Sequence, residues 1–216
     1  MARTAIRDDP SLLPTPSEME ARLLYRDASI LILDKPAGIA VHPTGHDKVA
    51  LDQAFEALRF GLPRPPALAH RLDRETSGCL ALGRHRQALE KLGKLFAGQQ
   101  VGKTYLAVVK GRPVADAGII DAPILKSGQG SRWKLSIDPT GQEAITHYTL
   151  LGSDGEMSLL ELSPKTGADA PAAHPLRASG LPGARRFVLW RRRRPADAAC
   201  MAAAGPVLPE EAGRRC

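Results

Sequence analysis

Strand-like patterns of apolar residues occur three times in the first 167 residues. The run "SILILDKPAG" at 29–38 predicts a short buried strand that ends in a Pro-Ala-Gly turn. The segment 103–111, "KTYLAVVKG", is rich in β-branched and aromatic residues and predicts a second strand. Residues 143–164 hold two strand-like runs around Asp154-Gly155, a strong turn signal, and therefore predict a hairpin.

Two further segments have apolar residues at helical spacing. Residues 50–60 show this spacing before the Pro-rich stretch 61–67 breaks it. Residues 85–98 place several leucines and a phenylalanine on one face, and Gly98 predicts the end of that helix. The pattern predicts a mixed α and β body.

The pattern also divides the chain into three parts. Residues 1–20 are polar and contain proline, which predicts a flexible lead-in that is too short for a separate RNA-binding domain of the S4 kind. Residues 21–167 form the predicted domain. Residues 168–216 hold 13 Ala and 6 Pro in 49 positions, with four consecutive arginines, and predict an irregular, basic tail.

The charge of the chain indicates a nucleic-acid partner only weakly. The net charge of +7 favours such a partner. However, residues 168–216 hold 9 Arg against 4 acidic residues, whereas residues 1–167 hold 21 basic and 19 acidic residues. Most of the excess positive charge therefore lies in the unusual tail.

Targeting signals and cysteine pairs are not evident in the sequence. No apolar stretch approaches the roughly 20 residues that span a bilayer, and the first residues have no signal-peptide core. Cys79, Cys200 and Cys216 are far apart and odd in number, which argues against a disulfide framework or a zinc site. We expect a cytoplasmic protein with no membrane partner and no metal.

The stretch "LAHRLDRETSGCLAL", residues 68–82, carries the candidate chemistry. A carboxylate such as Asp73 can attack an electron-poor carbon, for example the anomeric carbon of a sugar, or act as a base. Arg71 can pair with a phosphate or stack on a base. Thr76 and Ser77 can bond to the backbone of the turn. On composition alone, a solvated turn with a surface ion pair is the commoner structure, and His70 is more often structural than catalytic.

This stretch resembles the His-Arg-Leu-Asp-x-x-Thr-Ser-Gly signature of the RluA-type pseudouridine synthases. Three other segments resemble family motifs in the family's order: "ILILDKPAGIAVHP", "GKTYLAVVKG" and "LLELSPKTG". The resemblance covers about residues 20 to 167 and implies an α+β catalytic domain built on a mixed, mostly antiparallel sheet. It also implies that a uridine in ribosomal or transfer RNA is isomerised to pseudouridine, without cofactor or metal, by a protein that we expect to be a monomer.

The resemblance assigns roles to individual residues. Asp73 would be the catalytic carboxylate, which either adds to the ribose anomeric carbon or removes its 2′ proton. Arg71 would fill the gap that the target base leaves when it flips out of its stack, and Tyr105 would pack against the flipped uracil and assist proton removal at C5. With Arg71, the residues expected to bind RNA are His70, Lys35 and Thr76. Lys35 and His42, which also match family-like positions, are expected to be RNA-facing or structural. Lys165 flanks the last motif.

The resemblance ends after Gly167. The family pattern continues with an arginine that pairs with the catalytic carboxylate, followed by a Thr-His-Gln-Leu-Arg-like strand, whereas this chain continues with Ala168. Back-translation of residues 168–194 with GC-rich codons, read one nucleotide later, permits "ARTHQLRTHCAHLGCPVLGDSFYGGG", which resembles the lost segment. Our hypothesis is that residues 168–216 are a frameshifted reading, which predicts poor stability and weak or no activity. A clean, in-frame read of the resequenced gene would contradict it.

Two other functions remain open. The first is an RNA-binding protein without catalysis, which the missing arginine favours. The second is a glycosidase-like hydrolase that uses Asp73 with Glu75 or Glu143, although such enzymes need two carboxylates on opposite sides of a sugar and no motif supports the second acid.

Overall fold

Two four-stranded antiparallel sheets organise the computed structural model, which describes residues 9–45, 47–128 and 134–166. The strands are β1 Leu23–Arg26, β2 Ile30–Lys35, β3 Ala67–Leu68, β4 Gly78–Gly83, β5 Tyr105–Lys110, β6 Ala117–Asp121, β7 Ile124–Ser127, β8 Lys134–Ile137, β9 Ile145–Ser153 and β10 Met157–Pro164. The first sheet has the order β1-β2-β4-β3 and the second has the order β5-β10-β9-β6, while β7 and β8 pair with each other. The α-helices are α1 Pro16–Ala21 and α2 Arg86–Ala97, and 3₁₀ helices cover Pro10–Leu12 and Leu51–Leu58.

The first sheet packs around its central strands. β2 lies between β1 and β4, and its consecutive residues Leu31, Ile32 and Leu33 are all buried, so both faces of the strand are covered and its apolar residues form a continuous run. Leu31 and Leu33 of β2 have no exposed surface, and they share one cluster with Leu80 and Leu82 of β4. Phe55 of the second 3₁₀ helix belongs to the same cluster. This core holds the loops that follow β2 and precede β4.

The second sheet is the predicted hairpin with one strand added on each side. Asp154 Oδ1 accepts the N–H groups of Glu156 and Met157 at 2.9 and 2.6 Å, and Gly155 has φ +93°, which only glycine adopts easily. Along β10 the residues alternate between exposed and buried, so Leu160 and Leu162 face a small apolar core.

The α+β, largely antiparallel fold predicted from sequence is confirmed, with two local differences. The lead-in is not loose where it approaches the domain, because residues 16–21 form α1 and Met19 is fully buried in the core. The helix predicted at 50–60 is a 3₁₀ helix over Leu51–Leu58. The sequence did not predict β1, β3, β6, β7 or β8. The tail at 168–216, and the frameshift hypothesis with it, lies outside the described residues.

Candidate functional site

The loop between β3 and β4, residues 69–77, carries Asp73 and is called the Asp73 loop below. Within it the Thr76 N–H donates to the Asp73 carbonyl at 3.1 Å and closes a turn. Gly78 then begins β4 with φ +115°, a backbone conformation that favours glycine. The side chains of Asp73 and Arg71 are exposed, whereas Thr76 is buried. The loop therefore presents an acid and an arginine on a turn whose threonine points inward.

The buried side chain of Lys35 bonds to the backbone of the Asp73 loop. Lys35 is the last residue of β2, has no exposed surface, and lies opposite Gly78 in the pairing of β2 with β4. Its Nζ donates to the carbonyl oxygens of Thr76 at 2.7 Å, Pro36 at 2.8 Å and Arg74 at 3.2 Å. One buried ammonium group thus uses its three N–H donors on the main chain at both sides of the site.

The electrostatic state of Lys35 reflects two opposed effects. Burial lowers the pKa of Lys35 from 10.5 to about 8, and the negative charges of Glu75 and Asp73 oppose that shift. Lys35 is therefore mainly protonated at pH 7, with the two carboxylates of the loop in its electrostatic field.

Arg74 joins the Asp73 loop to the loop that follows β2. The Gly38 N–H donates to the Arg74 carbonyl at 2.8 Å, and Arg74 Nε donates back to the Gly38 carbonyl at 2.8 Å. Arg74 Nη1 also donates to Asp47 Oδ1 at 2.7 Å, and the two side chains are only 18% and 12% exposed. Thr44 in turn orients Asp47, because its Oγ1 accepts the Asp47 N–H at 3.1 Å. Arg74 therefore fixes the backbone one residue after Asp73.

His70 anchors the other end of the loop. The Ala81 N–H donates to His70 Nε2 at 2.9 Å, so this nitrogen carries no proton, and the ring stacks on Phe96 of α2 with centroids 4.3 Å apart. Burial lowers the pKa of His70 from 6.5 to about 4, with a smaller contribution from the positive charge of Lys103, against a backbone hydrogen bond at Arg71. His70 is therefore neutral at pH 7 and fixes the backbone directly before Arg71.

Phe96 also links the loop to the strand that begins with Tyr105. Lys103 Nζ lies 5.7 Å from the centroid of the Phe96 ring, and Tyr105, two residues later, is partly buried at the start of β5. The ring of Phe96 thus contacts His70 on one loop and Lys103 on the other. This contact places the segments of Asp73 and Tyr105 beside the same helix end.

The predicted site residues divide into two groups. Arg71 and Asp73 are exposed and able to meet a ligand, while Lys35 and Thr76 are buried and bonded within the protein. His42 lies on a separate part of the loop after β2, where its exposed ring donates from Nδ1 to Asp52 Oδ2 at 2.6 Å.

The sequence does not predict the ion pair between Arg74 and Asp47. The two residues are 27 positions apart, and nothing in either motif marks them as partners. The described residues contain no cluster of three or more His, Cys, Asp or Glu side chains placed to hold a metal ion. Their helices are also too short or too polar to cross a membrane.

Comparisons with known proteins identify the family of the chain. A family model described as RNA pseudouridylate synthase matches residues 29–170. An uncharacterised RNA pseudouridine synthase of Zymomonas mobilis is 40% identical over 147 residues, which cover 68% of this chain and 67% of that protein. Ribosomal large subunit pseudouridine synthase C of Vibrio parahaemolyticus is 35% identical over 151 residues, which cover 70% of this chain and 47% of that protein. Beyond the Zymomonas protein, the chain thus spans about half the length of such relatives.

A solved structure shares the fold. The structure of human RNA pseudouridylate synthase domain containing 4 superimposes with a TM-score of 0.64 and 25% identity, over 76% of this chain and 66% of that one. The human RNA pseudouridylate synthase domain containing 1 gives a TM-score of 0.58 at 22% identity and supports the fold alone.

Proposed function

The chain belongs to the RluA-type branch of the RNA pseudouridylate synthase family, and we propose that it converts specific uridines in RNA to pseudouridine with Asp73 as the catalytic carboxylate. The observation that carries this proposal is the combination of an exposed Asp73 side chain with a fixed backbone. Lys35 bonds the carbonyls of Arg74 and Thr76, and Arg74 bonds that of Gly38, so the backbone next to the exposed Asp73 is fixed where a ligand can approach it.

The reaction needs no external reactant. The bond between uracil N1 and ribose C1′ breaks, the base turns, and C5 bonds to C1′ while the C5 proton is lost and N1 gains one. Asp73 either adds to C1′ and is later displaced, or removes the 2′ proton and returns it to C2′ as C5 bonds to C1′; the residues support both routes. No cofactor or metal takes part in either route.

A uridine within a helix cannot expose its glycosidic bond, so the nucleotide must leave the stack at a cost of a few kcal/mol. Arg71, exposed beside Asp73, occupies the space that the base leaves. Tyr105 packs against the flipped uracil, where an aromatic face recovers part of that cost. His70, Lys35 and Thr76 act on the loop rather than on RNA, because their polar atoms bond to, or lie buried beneath, the protein backbone.

The names of the relatives narrow the substrate class. The Vibrio relative is named for the large ribosomal subunit, and we propose ribosomal RNA as the first substrate to test, with transfer RNA as the second. We also propose that the protein acts as a monomer in the cytoplasm.

A second candidate is RNA binding without catalysis. Ala168 stands where the family pattern has the arginine that pairs with the catalytic carboxylate, so the family's arginine is not at this position of the chain. The frameshift hypothesis explains the difference, and it predicts that restoring the reading frame restores activity.

The decisive experiment measures tritium release from RNA labelled at uridine C5, with the chain as given and with a version in which the frame is restored. We expect Asp73→Asn to abolish release in the active version. The matched control, Glu75→Gln, removes the exposed carboxylate two residues away and keeps activity within a few-fold. Release that survives Asp73→Asn contradicts the assignment, and binding without release in both versions favours the second candidate.

A further inference from the structure

The buried ammonium of Lys35 lies where the two loops of the candidate site meet. Lys35 ends β2, and it pairs with Gly78, the first residue of β4. Its Nζ bonds the carbonyl of Pro36 in the loop after β2 and the carbonyls of Arg74 and Thr76 in the Asp73 loop. A single titratable group therefore connects the two loops, at the point where one leaves β2 and the other enters β4.

The bonds of Lys35 reach the turn that carries Asp73. Arg74 directly follows Asp73, and the Thr76 N–H donates to the Asp73 carbonyl at 3.1 Å. The acceptors of Lys35 in this loop are thus the carbonyls one and three positions after the carboxylate. A shift of this turn moves the carboxylate with it, and a misplacement of about 1 Å can lower a rate by about 100-fold.

The protonated and neutral forms of Lys35 bond differently. An ammonium has three N–H donors, one for each of the carbonyl oxygens that surround Nζ. A neutral amine has two donors and a lone pair, so at least one carbonyl loses its donor. The remaining bonds also lose the strengthening that a charged donor gives. Loss of the proton therefore weakens the connection between the loops.

Burial brings this change of protonation close to neutral pH. Burial lowers the pKa of Lys35 from 10.5 to about 8, and three charges of the Asp73 loop also act on it: Glu75 and Asp73 raise the pKa, and Arg74 lowers it. Glu75 has the largest effect of the three, and its side chain is 68% exposed. An exposed carboxylate thus helps to set the pH at which the buried ammonium loses its proton.

We propose that Lys35 is a positioning residue whose proton controls the site: the ammonium holds the Asp73 loop in place for turnover, and its loss releases the loop and slows the reaction. This inference rests on the proposed function and adds regulation by pH to it. The side chain of Lys35 has no exposed surface that RNA could contact. The rate of the chemical step should therefore change more than the KM for RNA.

The first test measures tritium release from RNA labelled at uridine C5, from about pH 6.5 to about pH 9.5, in wild type and in Lys35→Met. Both proteins act on the same RNA, so the ratio of their kcat values removes any titration of the substrate. We expect this ratio to be about 10–100 at neutral pH and to fall toward unity with a midpoint near pH 8. The KM for RNA should differ by less than about threefold. Lys110→Met, the same change at an exposed position, should behave as wild type.

The second variant, Glu75→Gln, changes the proton affinity of Lys35 without removing any of its three acceptors. We expect its kcat to lie within about twofold of wild type at about pH 6.5 and its midpoint to lie at lower pH, because a charge that favours the ammonium is gone. The shift should shrink at about 1 M salt, since Glu75 is exposed. Glu156→Gln removes an exposed acid at the turn between β9 and β10 and should leave the midpoint unchanged.

Hydrogen exchange tests the connection between the loops without RNA. In the full chain, the amide protection factors of Gly38 and Thr76, corrected for the pH dependence of intrinsic exchange, should fall at least about tenfold between about pH 7 and about pH 9.5. In Lys35→Met both factors should be low at either pH. Amides of β10 should stay protected in both proteins.

Constant protection of Gly38 and Thr76 across this range, or a ratio of kcat values that does not change with pH, would overturn the proposal. An unchanged midpoint in Glu75→Gln at low salt would overturn it as well. Absent release at every pH, from both the chain as given and the frame-restored version, contradicts the proposed reaction instead. The exchange measurement then still decides whether the proton of Lys35 connects the two loops.

Discussion

Replacing Lys35 with methionine tests whether a buried charge maintains the Asp73 loop. Two carbonyl groups, those of Pro36 and Thr76, would lose their donor, while the Arg74 carbonyl keeps the Gly38 N–H. Carbonyls left without a partner cost about 1–3 kcal/mol each, or about 2–6 kcal/mol together. In the other direction, the fall of the pKa of Lys35 from 10.5 to about 8 disfavours the charged form by about 3 kcal/mol at neutral pH, and methionine removes that penalty.

The two effects largely cancel, so the free energy of unfolding should fall by only about 0–3 kcal/mol at pH 7. The loop should respond much more strongly. We expect the amides of Gly38 and Thr76 to exchange hydrogen at least tenfold faster, because the ammonium no longer joins the two loops. The control Lys110→Met makes the same chemical change at an exposed position of β5 and should leave both amides unchanged.

The pH dependence gives a second readout of the same variant. Between about pH 8 and pH 10.5 the unfolded chain holds a proton on Lys35 that the folded chain has lost, so the stability of the wild type should rise with pH relative to Lys35→Met. Unchanged exchange at Gly38 and Thr76, or a loss of stability above about 5 kcal/mol, would refute this account of the loop.

Two other predictions concern the remaining anchors. Because the unfolded chain protonates His70 near pH 6.5 and the folded chain only near pH 4, acidification through this window should destabilise the wild type, by up to about 3 kcal/mol, relative to His70→Asn; parallel urea-unfolding curves against pH would contradict the burial of a neutral imidazole. Asp47→Asn should cost about 1–3 kcal/mol by urea unfolding, since its partner Arg74 is only 18% exposed. The control Asp116→Asn, which breaks the exposed pair with Arg112, should lower the free energy of unfolding by less than about 1 kcal/mol. Equal losses in the two variants would show that the ion pair of Arg74 with Asp47 is no stronger than a surface pair.

The elements that were predicted correctly are those whose residue pattern extends over several positions or is specific to one type of turn. The apolar pattern extends over several residues in β2, β10 and α2. The pair Asp154-Gly155 is typical of the hairpin turn that it forms. α1 was missed although Thr15 and Glu18 form a capping box that is visible as T-P-S-E. Its only buried residue is Met19, so a reading that relies on apolar periodicity does not find it.

The candidate site was predictable as a motif but not as a structure. The signature that contains Asp73 pointed to the loop, yet it did not show that Lys35 faces inward or that His70 is an acceptor for the Ala81 N–H. Those roles depend on backbone groups that are left where strands end. The acceptors of Lys35 lie in the loops after β2 and before β4, and the Ala81 N–H lies just past the last pair of β3 with β4. The pair of Arg74 with Asp47 depends on the path of two loops, which sequence spacing does not encode.

The proposed role of Asp73 sets two requirements: the carboxylate has to be accessible to a ligand, and the backbone that carries it has to be fixed. In the proposed reaction the carboxylate of Asp73 meets a ribose, so it has to stay accessible, and an exposed side chain receives little support from packing. The support comes from the buried ammonium of Lys35 and the guanidinium of Arg74, which bond backbone carbonyls of residues around Asp73. These cations fix the position of the backbone around Asp73. The family pattern adds an arginine after Gly167 that pairs with the catalytic carboxylate, and for this reason we expect the identity of residue 168 to bear more on activity than on the integrity of the loop.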